Sequence, residues 1–275
     1  MKKEVKKVEV NEEVKDIEAT LNVNETTEIL RVLEALNTHT AVFELKKEGL
    51  HYRGMDSGQV CMLDMTASVE KATGETNFAV EVIPFKSALN CFKDYTVNLK
   101  VLQNTIVIEK DKERFSLARV SEEAQKVETP KIGEPVFSAE VKREDLRNAI
   151  KNSIKLGISS LTLANREAFT VEAIERTISY NKPVKLETNV KNKLGKAFGT
   201  FRTDYLDIIT KPLHGIKLEL SDDKPIHLTG STGNGRIAEF WMAPIMNTRY
   251  GNSEEDSEDE ESEDEIEDAI KEDVE

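Results

Sequence analysis

The chain has 275 residues, 38% hydrophobic content and a formal net charge of −14. That length and apolar share suit one large or two medium globular domains with a sizeable core. They exclude a disulfide framework, since Cys61 and Cys91 are the only cysteines and form no CxxC, and no apolar run is long enough to span a bilayer.

The charge is unevenly placed. Residues 249–275 hold 15 acidic and 2 basic residues, net −13, which leaves −1 for the rest. Acidity therefore describes a tail, not the folded part. Residues 1–14 alternate in charge and contain no apolar signal core. They read as a loosely ordered extension, and sparse cysteine points to a reducing, intracellular setting.

In chain order, 15–23 alternates as a strand, and Asn24 is the expected cap of a helix over 26–37. Ile29, Leu30, Leu33 and Leu36 form its apolar face. Strands are expected at 41–45, 50–54, 60–65 and 77–82. A short helix then starts at Pro84 with Phe85, Leu89 and Phe92 inward. Strands follow at 97–102, 105–109 and 114–120. Residues 121–135, SEEAQKVETPKIGEP, are polar and proline-bearing, and read as a linker.

The order then recurs. A strand at 136–141 precedes KREDLRNAIKNSIKLG, 142–157, whose Leu146, Ala149, Ile150 and Ile154 keep the spacing of one helix face. Its cations Arg143, Arg147, Lys151 and Lys155 recur every fourth residue. Each four-residue step overshoots a helical turn by about 40°, so they form a slowly winding stripe. Such a stripe is ordinarily a solvated face. Here it is the main organised positive charge, which points to an anionic partner. Strands are expected at 159–164, 169–174, 176–184, 184–190 and 196–201, then a short helix through Tyr205, Leu206 and Ile209. Strands at 216–220, 226–229 and 237–242 end the pattern. Ile29, Leu33, Leu50, Leu89 and Leu99 answer Leu146, Ile150, Phe169, Leu206 and Leu218 at offsets of 117 to 119 residues. Two copies of one β-rich unit, each with two helices, is the inferred architecture.

Catalytic signatures are missing. His39, His51, His214 and His227 sit singly, and no HExxH, GxSxG or metal-spaced Cys/His set occurs. GSTGNG, 230–235, lacks a GK[ST] ending and lies between two strand patterns, so it reads as a hairpin turn. Asp222-Asp223 is likewise turn chemistry.

The segment FELKKEGLHYRGMDSGQV, ending at Val60, resembles the sliding clamps of archaea and eukaryotes, the proliferating cell nuclear antigen (PCNA) family. KNSIKLGISSLTLA resembles the start of that family's second domain. IKLELSDDKPIHLTGS and RIAEFWMAPIM resemble its last strands and its A-P-x-I/M ending. The likeness runs over about residues 15–246.

The resemblance implies an α+β fold of two tandem sliding-clamp (processivity) repeats, at 15–120 and 136–248. An interdomain connecting loop at 121–135 joins them, with the extension 1–14 before and the acidic tail 249–275 after. It further implies a closed trimeric ring, with helices lining the hole and antiparallel sheets outside. Such a ring encircles double-stranded DNA and is not an enzyme. No cofactor, metal or membrane is implied. The implied partners are a clamp loader, DNA polymerase, flap endonuclease and DNA ligase, held through short peptide motifs. The location would be cytoplasmic in an archaeon and nuclear in a eukaryote.

A sliding ring needs cations aimed at phosphates, without groups that read bases. Arg143, Arg147, Lys151 and Lys155 supply them, joined by Lys86, Lys93, Arg202 and Lys211. Replacing Arg147 and Lys151 is expected to leave stability almost unchanged. The first helix departs from the family, with Arg31 against Glu25, Glu28 and Glu34. The family's peptide pocket maps onto Met55, Val60 and Met62 as floor and Pro225, Trp241, Ala243 and Pro244 as wall, with Val127 and Ile132 from the linker. Ring closure is expected between strands 114–120 and 176–184, with Pro183 at the end of the pairing. The base-poor first helix keeps open a heteromeric or checkpoint-type clamp paralogue, and the long tail an acidic-tailed interaction protein such as a histone chaperone.

Overall fold

The computed structural model describes residues 16–92, 95–121, 127–130, 133–175, 178–187, 197–233 and 235–245. All of them fall in one compact unit, Met1–Ile245. The extension 1–14, much of the linker and the acidic tail lie outside the described residues.

Strand β1 (Ile17–Asn22) runs directly into α1 (Val23–Ala35). The cap is Asn22, not the expected Asn24. Its backbone is still extended, at φ −80° and ψ 114°, and its side chain accepts from the Glu25 N–H at 3.1 Å. Asn24 already lies within the helix. Next come β2 (Thr40–Lys46), β3 (Gly49–Met55), β4 (Cys61–Ala67), β5 (Val69–Ala72) and β6 (Thr76–Glu81), then α2 (Val82–Asn90). Strands β7 (Thr96–Val101), β8 (Thr105–Lys110) and β9 (Glu113–Ala118) close the first half.

The second half repeats the order. It holds β10 (Phe137–Val141), α3 (Arg143–Lys155), β11 (Ser160–Asn165), β12 (Phe169–Glu175) and β13 (Ile178–Pro183). After them come β14 (Ala197–Arg202), α4 (Thr203–Thr210), β15 (Ile216–Leu220), β16 (Ile226–Ser231) and β17 (Ile237–Met242). The strand expected at 184–190 is reduced, among the described residues, to one antiparallel bridge between Leu186 and Val141. GSTGNG starts with the last two residues of β16, and its other described residues belong to the hairpin connection, with Thr232 N–H donating to the Arg236 carbonyl at 2.7 Å and Gly235 at φ +76°.

Among the described residues the strands form three antiparallel sheets, ordered β5-β1-β7-β8-β9, β13-β12-β11-β14 and β10-β15-β16-β17-β4-β3-β2-β6. The β10-β15-β16-β17 run matches β1-β7-β8-β9, and β4-β3-β2-β6 matches β13-β12-β11-β14. The eight-stranded sheet is therefore a second-half sheet joined to a first-half sheet. Their seam is the β17–β4 pairing, where Trp241 faces Met62 and Phe240 faces Leu63.

Strand alternation sorts the two faces of this sheet. Leu63, Phe240, Leu228 and Leu218 form one cross-strand row, fully buried in a core shared with Leu33 of α1 and Ile150 of α3. Each such side chain contributes roughly 1.5–3 kcal/mol by leaving water. Phe43, Phe78 and Phe85 add aromatic contacts, with centroids 5.7–6.2 Å apart. The next row, Met55–Met62–Trp241–His227–Glu219, stands on the opposite face.

Candidate functional site

Helix α1 packs on α2, α3 packs on α4, and α1 approaches α4. The cations of α3 divide between two environments. Lys151 and Lys155 are exposed. Arg147 is buried, pairs with the Asp207 carboxylate at 2.8 Å, and donates to the Asp207 carbonyl at 2.7 Å and to Thr210 Oγ1 at 3.0 Å. Half-buried Arg143 donates to the Leu213 carbonyl and, at 3.2 Å, to the Lys211 carbonyl. These two arginines tie α3 to the C-terminal end of α4, whose last carbonyls attract cations. The expectation that Arg147 faces a ligand is thus corrected. A stripe that winds by about 40° per step does not keep all its members on one face.

Lys86 is paired with Glu34 of α1. Exposed Arg202 pairs with Asp204 at 2.6 Å and lies over the Tyr205 ring at 4.8 Å. Lys211 is exposed, and with Arg31, Val32 and Ile208 it lines a cavity of about 300 Å³ between α1 and α4. Lys93 lies outside the described residues. The acids of α1 do not make an acidic surface. Glu25 is buried and accepts the Ser68 N–H at 2.6 Å. Glu34 is matched by Lys86. Burial pushes the Glu28 carboxyl above its usual range, against the pull of His214 and Arg31. The sequence departure in α1 is largely internal bonding. Exposed Arg31, absent from the expected set, joins Lys151, Lys155 and Lys211 as available cations.

The second candidate surface is the outward row of the large sheet. The pairing brings Met55, Met62 and Trp241 side by side from distant parts of the chain. Ala243 N–H donates to the Val60 carbonyl at 2.8 Å, which fixes the end of β17 against the start of β4. Pro225 precedes Ile226, which pairs with Met242, the residue before Ala243 and Pro244. Trp241 is 6% exposed and Met62 1%. The indole lies flat on the His227 imidazole, centroids 4.6 Å apart and planes at 6°. The ring is therefore covered, not an open pocket wall. His227 in turn sits 2.8 Å from Glu219 and 3.0 Å from Glu239. Burial pushes the Glu219 carboxyl up, but the bonds from Lys217 and His227 outweigh it and hold it below the usual range.

An open cavity of about 400 Å³ lies beside this row. Met55 and Val127 line it, together with Thr38, Val42 and Arg53. Val60, Met62, Pro225, Trp241, Ala243 and Pro244 do not. Ile132 lies outside the described residues.

The MDSGQV turn owes its shape to Asp56, which is 2% exposed. Its Oδ1 accepts from Val60 N–H at 2.8 Å and Cys61 N–H at 2.6 Å. Its Oδ2 accepts from Gly58 N–H at 3.0 Å and from the Tyr205 hydroxyl of α4 at 2.7 Å. Burial and the Asp56 carboxylate push the Tyr205 phenol up to about 12. The Asp-x-Gly spacing signals the local part of this knot. The Tyr205 contact has no sequence signal.

No protein-family model matches the chain, and no curated protein does. Solved structures do match. PCNA from Entamoeba histolytica superposes with a TM-score of 0.72 at 15% identity, over 84% of this chain and 99% of that one. A. fulgidus PCNA, bound to the C-terminal region of FEN-1, gives 0.71 at 18%, over 84% and 99%. The PCNA2–PCNA3 complex of Sulfolobus tokodaii gives 0.68 at 18%, over 84% and 99%. The chain has the mixed, mainly antiparallel fold of the PCNA sliding clamps.

Proposed function

We propose that the chain is a subunit of a DNA sliding clamp, a trimeric ring that encircles duplex DNA and tethers polymerases and other replication and repair enzymes. The observation that carries this is the β17–β4 seam. Inside the chain it joins the last strand of one half to the fourth strand of the other. The equivalent strands β9 and β13 are sheet edges among the described residues. Exposed edges call for pairing, and the seam already built into the chain is its template. Repeating it between copies makes a closed, continuous outer sheet. Pro183 ends β13, where a missing N–H costs least. Arg31, Lys151 and Lys155 on the helices, with Lys211 at the C-cap of α4, supply sequence-independent attraction to phosphates. The FEN-1 C-terminal region bound to A. fulgidus PCNA supports a peptide-docking role, which we assign to the Met55 face.

The test is topological. The chain is loaded on nicked circular duplex by its clamp loader, and the DNA is then linearised. Retention on circles with loss from linear DNA supports encirclement. Equal retention on both refutes it and favours an acidic-tailed interaction protein. Sedimentation of the purified chain then separates rings of like subunits, seen as trimers, from mixed rings. A monomer would place the chain with heteromeric assemblies such as PCNA2–PCNA3.

A further inference from the structure

The cavity beside Met55 has a charge character that an apolar anchor alone does not explain. We infer that it receives an acidic side chain of the docked segment, so that this subunit selects partners carrying a carboxylate next to their apolar anchor. The inference rests on the reading of this face as a peptide-docking surface.

Three observations converge on a carboxylate. First, of the two charged side chains lining the cavity, one is closed off. Asp56 has both oxygens filled by three backbone N–H groups and the Tyr205 hydroxyl, so it offers no free acceptor. Second, Arg53 is held from two sides and still has capacity. Its Nη2 donates to Thr129 of the connecting segment, and its Nε lies 3.5 Å from Asp64. Asp64 is shared, because its other oxygen is 2.7 Å from His51. A guanidinium carries five N–H donors, and Nη1 has no partner among the described residues. A guanidinium fixed in this way presents a pre-formed fork for a carboxylate. Third, Thr38 lines the same cavity, is 7% exposed, and its Oγ1 has no hydrogen-bond partner among the described residues. A buried hydroxyl left unbonded is costly, and a ligand acceptor would complete it. Half-buried Val42, Met55 and Val127 supply apolar wall for the neighbouring anchor.

The experiment titrates fluorescent peptides into the full chain. The peptides share one apolar-aromatic anchor and differ only in flanking Glu or Gln. The Glu peptide should bind about tenfold tighter, the step expected of one charge-assisted contact, and added salt should narrow the gap. Arg53→Gln should erase the preference. Thr38→Val, which replaces the hydroxyl by a methyl of the same shape, should reduce it without lowering the unfolding midpoint. Equal binding of the two peptides, or a preference that survives Arg53→Gln, overturns the inference and leaves peptide docking standing. Failure of every anchored peptide to bind the parent overturns both.

Discussion

Arg147→Ala separates a helix-to-helix tie from a DNA contact. The guanidinium is 10% exposed and its partner Asp207 31%. Removing one member of a fully buried pair costs about 3–5 kcal/mol, because the other charge is stranded. Asp207 is open enough for water to take up part of its charge. Thr210 Oγ1 keeps its own bond to the Leu206 carbonyl at 2.6 Å. The expected loss is therefore about 2–3 kcal/mol, against about 0.5 kcal/mol or less for exposed Lys151→Ala. Urea unfolding reads this as a lower midpoint at unchanged slope. Asp207→Ala and the double variant complete a cycle that isolates the pair. DNA binding gives the opposite ranking: Lys151→Ala should lower the salt slope by about one phosphate contact and Arg147→Ala should not. The reasoning fails if Arg147→Ala unfolds like the parent and instead removes a unit of salt dependence.

Tyr205→Phe removes the hydroxyl that reaches Asp56 and should cost about 1–2 kcal/mol; an unchanged urea midpoint would count against the tie. In the parent, the raised Tyr205 phenol makes this contribution complete below the unfolded tyrosine value of 10.0 and lost as pH climbs through about 12, which alkaline unfolding should show. The bond to Asp64 raises the His51 pKa above 6.5 despite burial, with Glu44 assisting and Lys46 and Arg53 engaging the two acids. That contribution is full below pH 6.5 and falls as pH rises through the higher folded value, so the urea midpoint should drop across that window in the parent and stay flat in His51→Gln. Trp241→Ala should cost about 3–5 kcal/mol, because the indole is stacked on His227 and covered; a parent-like midpoint would restore it as an open pocket wall.

Period-two alternation made most strands legible, because buried and exposed positions alternate along each one. It missed β5, whose VEKA holds two charges and too few residues for a pattern. That strand exists because β1 pairs with it, Ala19 facing Ala72. The helix cap was misplaced by two residues because both Asn22 and Asn24 are suitable side chains, and the choice depends on where β1 ends. The cationic stripe was legible as a stripe. Which members it turns toward α4 depends on Asp207, sixty residues away. The acidic look of α1 misled in the same way, since Ser68 and Lys86 absorb two of its carboxylates. Periodicity reports which face a residue occupies on its own element, and not what another element places opposite.

The two kinds of seam in the proposed ring are unequal, and the difference lies in the sequence. The seam within the chain has backbone pairing along β17–β4 and, in addition, the Asp56–Tyr205 bond that fastens the turn before β4 to α4. The seam between copies would have the pairing of β9 with β13. The Leu89–Leu206 correspondence puts Ala88 where Tyr205 stands, and a methyl group cannot donate a hydrogen bond. The sequence before β13 reads ERTI at 175–178, without the Asp-x-Gly of MDSGQV. A joint held by strand pairing and side-chain packing alone separates before one that also carries a buried, charge-assisted bond. A ring of this chain would therefore open between subunits, while the MDSGQV turn and the Met55 face beside it keep their shape.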